Sequence, residues 1–324
     1  MSAYAIQLSS LLDTHLAHDV AQGLSSKGQK SIPSKYLYDE LGSILFDAIT
    51  VLPEYGLTRA DARILRGNAD RIVAALPQNF EIAELGSGTG AKTRWILEAA
   101  IRRSRTVVYH PIDISETAVL QCAKVLETID GLTIVPQTAT YLEGLANVAR
   151  HRPQQQSLLV LFLGSTIGNF DYTAAREFLR SIRSLLRLGD GLLLGTDLIK
   201  PLPQMLSAYD DPTGVTAAFN LNLLGRLNRE LDAGFNLRRF RHQARFNQEE
   251  SRIEMHLVST TAQTVEIGAL GQRYNFREGE TIWTEGSYKF RRSEIQSLAG
   301  ETGFLTGSQW TDHEWPFAET LMLA

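Results

Sequence analysis

At 324 residues, with 44% hydrophobic and 21% charged side chains, the chain suits one elaborated domain or about two and can bury a full core. Its formal net charge of −4 argues against a nucleic-acid partner, and the arginine pairs at 102–103, 238–239 and 291–292 read as solvated faces. The single cysteine, Cys122, rules out an internal disulfide, and no apolar run approaches the ~20 residues of a membrane span, so a soluble cytoplasmic monomer without a secretion signal is expected.

In chain order, residues 1–30 place Leu11, Leu12, Leu16 and Val20 at helical spacing. His15 and His18 share that pattern, but no third ligand follows at suitable spacing, so they read as surface residues and no metal is expected. Residues 30–57 mix Pro33, Tyr36, Tyr38, Asp39, Gly42, Pro53 and Tyr55 with a helical patch at 43–50. Such a segment suits either a pocket wall or plain packing. From Phe80 to Leu198 apolar runs alternate with amphipathic helices. The strands fall near residues 80–85, 107–113, 132–136, 158–163 and 191–198, and the helices near 91–103, 115–129 and 171–187. This alternation predicts a parallel sheet with helices on both faces, and Cys122 reads as a core thiol on the second helix. Beyond Leu198 the alternation stops. Asp211 and Pro212 read as N-cap and first position of a helix reaching about Leu231. Runs at 240–247, 252–260 and 264–270 alternate apolar and polar residues, as antiparallel strands with one wet face do. A helix at 292–300 and runs at 304–310 and 319–323 offer two antiparallel strands to close the sheet.

Glu84-Leu85-Gly86-Ser87-Gly88-Thr89-Gly90 joins the first of these strands to a helix start. Glycines there let the backbone approach a ligand, and the helix N-terminus offers N–H groups. Asp113, at 113 − 86 = 27 residues past the first glycine, ends the next strand, where a carboxylate can accept ribose hydroxyls. Gly86 to Ala91 satisfies the dinucleotide fingerprint, so a nicotinamide cofactor is allowed. Three details favour S-adenosylmethionine instead. Glu84 suits a cation, Gly90 lets the loop wrap an amino-acid tail, and Lys92 is placed for the cofactor's carboxylate.

Phe162 to Phe170 follows the fourth strand, where open α/β sheets bind ligands. Asn169 there both donates and accepts, which suits an α-amino acid, although the segment also reads as a simple turn. In Trp283 to Phe290, Glu285 and Ser287 lie two positions apart, on one face of an extended segment. They suit a heterocycle with one N–H and one acceptor nitrogen, or an exposed strand face.

The chain resembles the histidine-specific Nα-methyltransferases of ergothioneine biosynthesis. The resemblance covers Lys35 to Asp39, Leu52 to Tyr55, Glu84 to Thr89, Phe162 to Asn169, Leu192 to Leu198, Tyr209 to Asp211, Gly214 to Asn220, Arg252 to Met255 and Thr284-Glu285. It implies an α/β, Rossmann-like methyltransferase sheet with helices on both faces plus an inserted α+β substrate-binding domain. The expected S-adenosylmethionine-binding domain is residues 60–198 with 288–324, and the expected substrate domain is residues 1–59 with 199–287. Gly86, Gly88, Lys92 and Asp113 would hold S-adenosyl-L-methionine as methyl donor, with Thr140 and Tyr141 at the adenine, where the family has an acidic residue. Asn169, Tyr209 and Tyr55 would hold the amino and carboxylate groups of L-histidine. Glu285 and Ser287 would read its imidazole, with Met255 and Tyr38 lining the pocket. Gly56 stands where the family often has a tyrosine, which implies a looser wall.

No nucleophile on the protein is implied, because the sulfonium leaving group is good; catalysis is by positioning alone. The implied product is hercynine, the trimethylated betaine. Alternatives are an Nα-methyltransferase for another amino acid such as tryptophan, a dinucleotide-dependent oxidoreductase, and a non-catalytic amino-acid-binding module.

Overall fold

The computed structural model describes residues 15–324, which form two compact units. One comprises the described residues up to Gly56 together with Lys200–Tyr288; the other comprises Leu57–Ile199 and Lys289–Ala324.

The first unit opens with a helix whose described part is residues 15–24 (α1). A short strand Lys30–Ser31 (β1), a 3-10 turn at Ser34–Leu37 and a helix Glu40–Thr50 (α2) follow. The second unit then runs α3 (Leu57–Ala74), β2 (Phe80–Leu85), α4 (Arg94–Ser104), β3 (Val107–Asp113), α5 (Glu116–Leu126), β4 (Leu132–Ile134), β5 (Gln137–Thr138), α6 (Tyr141–His151), β6 (Ser157–Phe162), α7 (Tyr172–Leu185) and β7 (Gly191–Asp197). The first unit resumes with α8 (Leu202–Ser207), α9 (Val215–Leu231), β8 (Phe240–Asn247), β9 (Arg252–Ser259), β10 (Gln263–Ile267), β11 (Gln272–Phe276) and β12 (Thr281–Tyr288). Helix α10 (Arg292–Glu301) and strands β13 (Leu305–Thr311) and β14 (Phe317–Leu323) complete the second unit.

The second unit is built on a sheet of order β13-β14-β7-β6-β2-β3-β4, with β5 also pairing β3. Its strands are parallel except for β14 and β13, which close it antiparallel beside β7. Every residue of β2 and β7 is buried, so both faces of the sheet are covered, as its continuous apolar runs anticipated. From β2 the chain crosses to β3 on one side, while β6 pairs on the other. The carboxyl ends of β2 and β6 therefore flank the topological switch point, where such sheets open a ligand crevice.

In the first unit, β1, β12, β9 and β8 make a four-stranded sheet, and β10 and β11 form a separate hairpin. Helices α2 and α9 pack together. Asp39 ties them: its carboxylate accepts Gly42 N–H at 2.7 Å to cap α2, Asn222 Nδ2 at 2.7 Å and Arg229 Nη2 at 2.6 Å.

Several boundaries differ from the sequence reading, each for a local reason. The N-terminal helix stops at residue 24 rather than 30, while Leu11 and Leu12 lie outside the described residues. Helix α9 begins at Val215, so Pro212 is not its first residue. Asp211 still caps the helix from outside, accepting Val215 and Thr216 N–H at 3.1 and 2.7 Å. Helix α6 was not anticipated. Gly144 interrupts its pattern, and it is there because a Cβ would stand 2.4 Å from Ile112. The run at 264–270 ends its strand at Ile267, where a 3-10 turn, Gly268–Leu270, leads into β11, a strand the pattern did not suggest.

Candidate functional site

At the carboxyl end of β2, Gly86, Gly88 and Gly90 adopt left-handed φ angles of 73°, 51° and 68°, a region glycine enters without steric penalty. They serve different ends. A Cβ at Gly90 would lie 2.6 Å from Cys122 Sγ and 2.9 Å from Leu126 Cδ1. That glycine is also required by its packing against helix α5, a constraint the sequence reading did not include. Cys122 is buried, and burial pushes its thiol up to about 11, consistent with a core role. At Gly88 a Cβ would meet nothing within 4 Å, so this is the position open to a ligand. Gly86 donates to Ile112 O at 2.8 Å and sits under Tyr141, whose hydroxyl would be 3.2 Å from a Cβ there.

Tyr141 packs edge-on against Phe162 and Phe178, which fixes its ring beside the turn. Thr140 is turned away, donating to Glu143 at 2.6 Å. Asp113 accepts Ser115 N–H at 3.0 Å through one oxygen. Its other oxygen has no partner among the described residues and can accept hydroxyls.

Beneath the turn lies a cluster of charges. Glu84 is 1% exposed and accepts from the hydroxyls of Thr93 and Tyr109. It satisfies these internal donors rather than standing open to a cation, as the sequence reading had it. Burial, only partly offset by those donors, pushes its carboxyl up to about 7. Lys92 was expected to reach a ligand's carboxylate; in the structure its ammonium is 2.5 Å from the fully buried Asp61. Burial lowers the Lys92 pKa, but the Asp61 charge outweighs this and leaves it raised. An ammonium has three protons, so Asp61 sets the direction of Lys92 without exhausting its donors. Asp61 also accepts Gly164 N–H at 3.1 Å, joining α3 to the loop after β6. Glu319 on β14 is fully buried, and burial together with the neighbouring Asp61 raises its pKa well above the ordinary range. Neither Asp61 nor Glu319 was singled out from sequence. They lie 31 and 227 residues from Lys92, and only the fold brings them to it.

Because the folded pKa of Glu84 is raised from 4.5 to about 7, its ionisation opposes folding. The stability associated with its neutral form is complete below pH 4.5 and is lost as pH rises to about 7. Glu84→Gln removes this titration. Its stability relative to wild type is therefore expected to improve between about pH 5 and pH 8 in urea denaturation; a difference that is flat with pH would contradict the assignment.

After β6, Gly164 and Ser165 take consecutive left-handed φ angles of 70° and 59°. A serine there is unusual and marks a strained turn; its hydroxyl accepts Asp197 N–H at 2.9 Å. Asn169 ends the following 3-10 turn, exposed and with no side-chain partner among the described residues.

The other candidate residues gather in the first unit. On β12, Glu285 pairs with Met255 of β9, and Ser287 with Ile253, so both point to one face. The extra residue of a β-bulge, Thr284, precedes them. Tyr38 donates to Glu285 Oε1 at 3.3 Å, and the Tyr209 and Ser287 hydroxyls are 2.7 Å apart. Enclosure and the Glu285 charge hold the Tyr38 hydroxyl well above its ordinary pKa, so it remains a donor even though 37% of the residue's surface is open. Tyr55 meets Tyr209 edge-on at 6.2 Å. Phe46 and Phe219 complete the aromatic wall, each within about 6 Å of Tyr38. The structure thus brings Tyr38, Tyr55, Tyr209, Met255, Glu285 and Ser287 together. Asn169 is on the other unit, with Gly86, Gly88, Lys92, Asp113, Thr140 and Tyr141. His15 and His18 are exposed. Phe46 and Phe219 were missed, because single phenylalanines on amphipathic helices read as ordinary core.

Residues 16–324 match the model of the S-adenosylmethionine-dependent, histidine-specific methyltransferases. The chain is 42% identical over 308 residues to the histidine N-alpha-methyltransferase of Mycolicibacterium smegmatis, covering 94% of each. It is 40% identical over 310 residues to that of Mycobacterium tuberculosis, covering 95% of each. It is 25% identical to the L-tryptophan methyltransferase of Psilocybe serbica, covering 93% of this chain and 90% of that one. With that extent of match, the chain belongs to the family of S-adenosylmethionine-dependent, histidine-specific methyltransferases.

Proposed function

We propose that the protein transfers methyl groups from S-adenosylmethionine to the α-amino nitrogen of L-histidine, three times in succession, giving hercynine for ergothioneine biosynthesis. The observation that carries the reading is the pair of polar contacts on β12 within an aromatic wall: Tyr38 to Glu285 and Tyr209 to Ser287. An imidazole offers one N–H and one acceptor nitrogen. Glu285 accepts the N–H. Ser287, whose hydroxyl lies 2.7 Å from that of Tyr209, is assigned to the second nitrogen. An indole has no such acceptor, which disfavours tryptophan.

The second unit holds the donor. Gly88 is bare, Gly86 lies under Tyr141, and one Asp113 oxygen is free for the ribose. Bound there, S-adenosylmethionine supplies an electrophilic methyl on a positively charged sulfur. The chain's own residues orient the amine and exclude water. Holding reactants in line is worth up to ~7–11 kcal/mol. Tyr209 and Tyr55 take the amino and carboxylate groups. The amine must be neutral to attack, and it gives each proton to bulk water before water is excluded for the transfer. The faces of Tyr38, Tyr55 and Tyr209 favour the growing quaternary cation by about 0.5–2 kcal/mol.

Titration calorimetry tests the reading: heat is expected with S-adenosylmethionine, and with L-histidine once S-adenosylhomocysteine is bound. Heat from a nicotinamide dinucleotide and none from the sulfonium compound would reverse it.

A further inference from the structure

The two walls of the proposed histidine pocket are joined by a buried chain of hydrogen bonds through His242, Asn220 and Thr284, none of which is assigned a substrate contact. His242 Nε2 lies 2.7 Å from Tyr209 O. A carbonyl only accepts, so Nε2 carries the proton. His242 Nδ1 lies 2.9 Å from Asn220 Nδ2, an amide nitrogen that only donates, so Nδ1 is bare. The orientation of the Asn220 amide is set by a second acceptor, since the same Nδ2 reaches His256 O at 3.2 Å. That leaves Asn220 Oδ1 for the Thr284 hydroxyl at 2.7 Å. Thr284 is the extra residue of the bulge immediately before Glu285, and bulges re-aim neighbouring side chains. Asn220 is fully buried and Thr284 is 1% exposed.

We propose that His242 and Asn220 are positioning residues that lock Tyr209 and the Glu285 bulge to one another, with His242 held as the neutral Nε2–H tautomer. The proposal rests on the reading of Tyr209, Ser287 and Glu285 as the histidine pocket. Both ends of the chain act on that pocket. One fixes the backbone of the residue whose hydroxyl meets Ser287; the other pins the bulge that aims Glu285. The charged groups near the ring are Asp210, 4.0 Å from Nε2, and Asp211; burial nonetheless lowers the His242 pKa, in keeping with a neutral ring.

The test compares His242→Phe, Thr284→Val and Asn220→Asp in the whole chain. His242→Phe and Thr284→Val are expected to raise KM for histidine about tenfold, with S-adenosylmethionine affinity unchanged. Asn220→Asp faces Nδ1 with a carboxylate, which is satisfied only while His242 is protonated. The ratio of its histidine Kd to that of wild type, measured with S-adenosylhomocysteine bound, is therefore expected to widen between about pH 6 and pH 8. Taking the ratio cancels the titration of the substrate itself. A merely structural role would lower thermal stability without moving KM or this pH profile. A KM within about twofold of wild type in Thr284→Val and His242→Phe, or a pH-flat ratio for Asn220→Asp, overturns the proposal. If His242→Phe does not fold, the other two variants decide. Tyr209→Phe separates the levels: if it leaves histidine binding intact, the pocket reading itself fails; if it weakens binding while the three variants above do not, only the locking role fails.

Discussion

Glu285→Ala is expected to lower kcat/KM for L-histidine by about 100-fold or more while leaving S-adenosylmethionine affinity within about twofold, since truncating one partner of a buried charged hydrogen bond costs about 2–5 kcal/mol. Glu285 is 9% exposed and accepts from Tyr38. Its loss removes the acceptor for the imidazole N–H and takes from the Tyr38 hydroxyl the carboxylate it donates to. The methyl donor is assigned to the other unit, so its affinity should not move. Steady-state kinetics on histidine, with calorimetry for the donor, separate the two effects. Unchanged histidine turnover would remove Glu285 from the pocket.

Asp190→Ala is expected to destabilise the protein by about 3–5 kcal/mol, because it strands a buried charge. Asp190 and Arg152 form a bidentate pair at 2.6 and 2.5 Å with side chains 1% and 0% exposed. The same carboxylate accepts Leu158 N–H at 2.8 Å and Arg187 N–H at 2.6 Å, fixing the start of β6 and the turn before β7. Removing it leaves an unpaired guanidinium and two orphaned amides together. Urea denaturation measures the loss, and Asp190→Asn, which keeps the shape, should fall between the two. A loss below about 1 kcal/mol would show that water reaches Arg152 freely.

The second unit was largely legible in the sequence because its strands are covered on both faces and read as unbroken apolar runs. Residues 158–163 and 191–198 fall within one residue of β6 and β7 at every end. The glycine turn was legible as a turn. The reason for Gly90 was not, since it depends on Cys122, 32 residues away. Glu285 and Ser287 were found by a period of two, which survives the bulge because the bulge precedes them. The charge cluster under the turn and the His242–Asn220 lock were not legible. Their members are single polar residues on elements far apart in the chain, and only tertiary pairing distinguishes them. Lys92 shows the same limit: its position in the chain suggested a ligand partner, while Asp61 from α3 reaches it first.

The central claim is that a sulfonium methyl donor held by the second unit alkylates the α-nitrogen of an imidazole-bearing amino acid held by the first. Mass spectrometry of the purified protein incubated with isotopically labelled S-adenosylmethionine and an equimolar mixture of the twenty amino acids addresses it in one experiment. The account predicts label on histidine alone, on its α-nitrogen, accumulating through one, two and three methyl groups. Label on tryptophan or another amino acid in preference to histidine, or none on any of them, would contradict it.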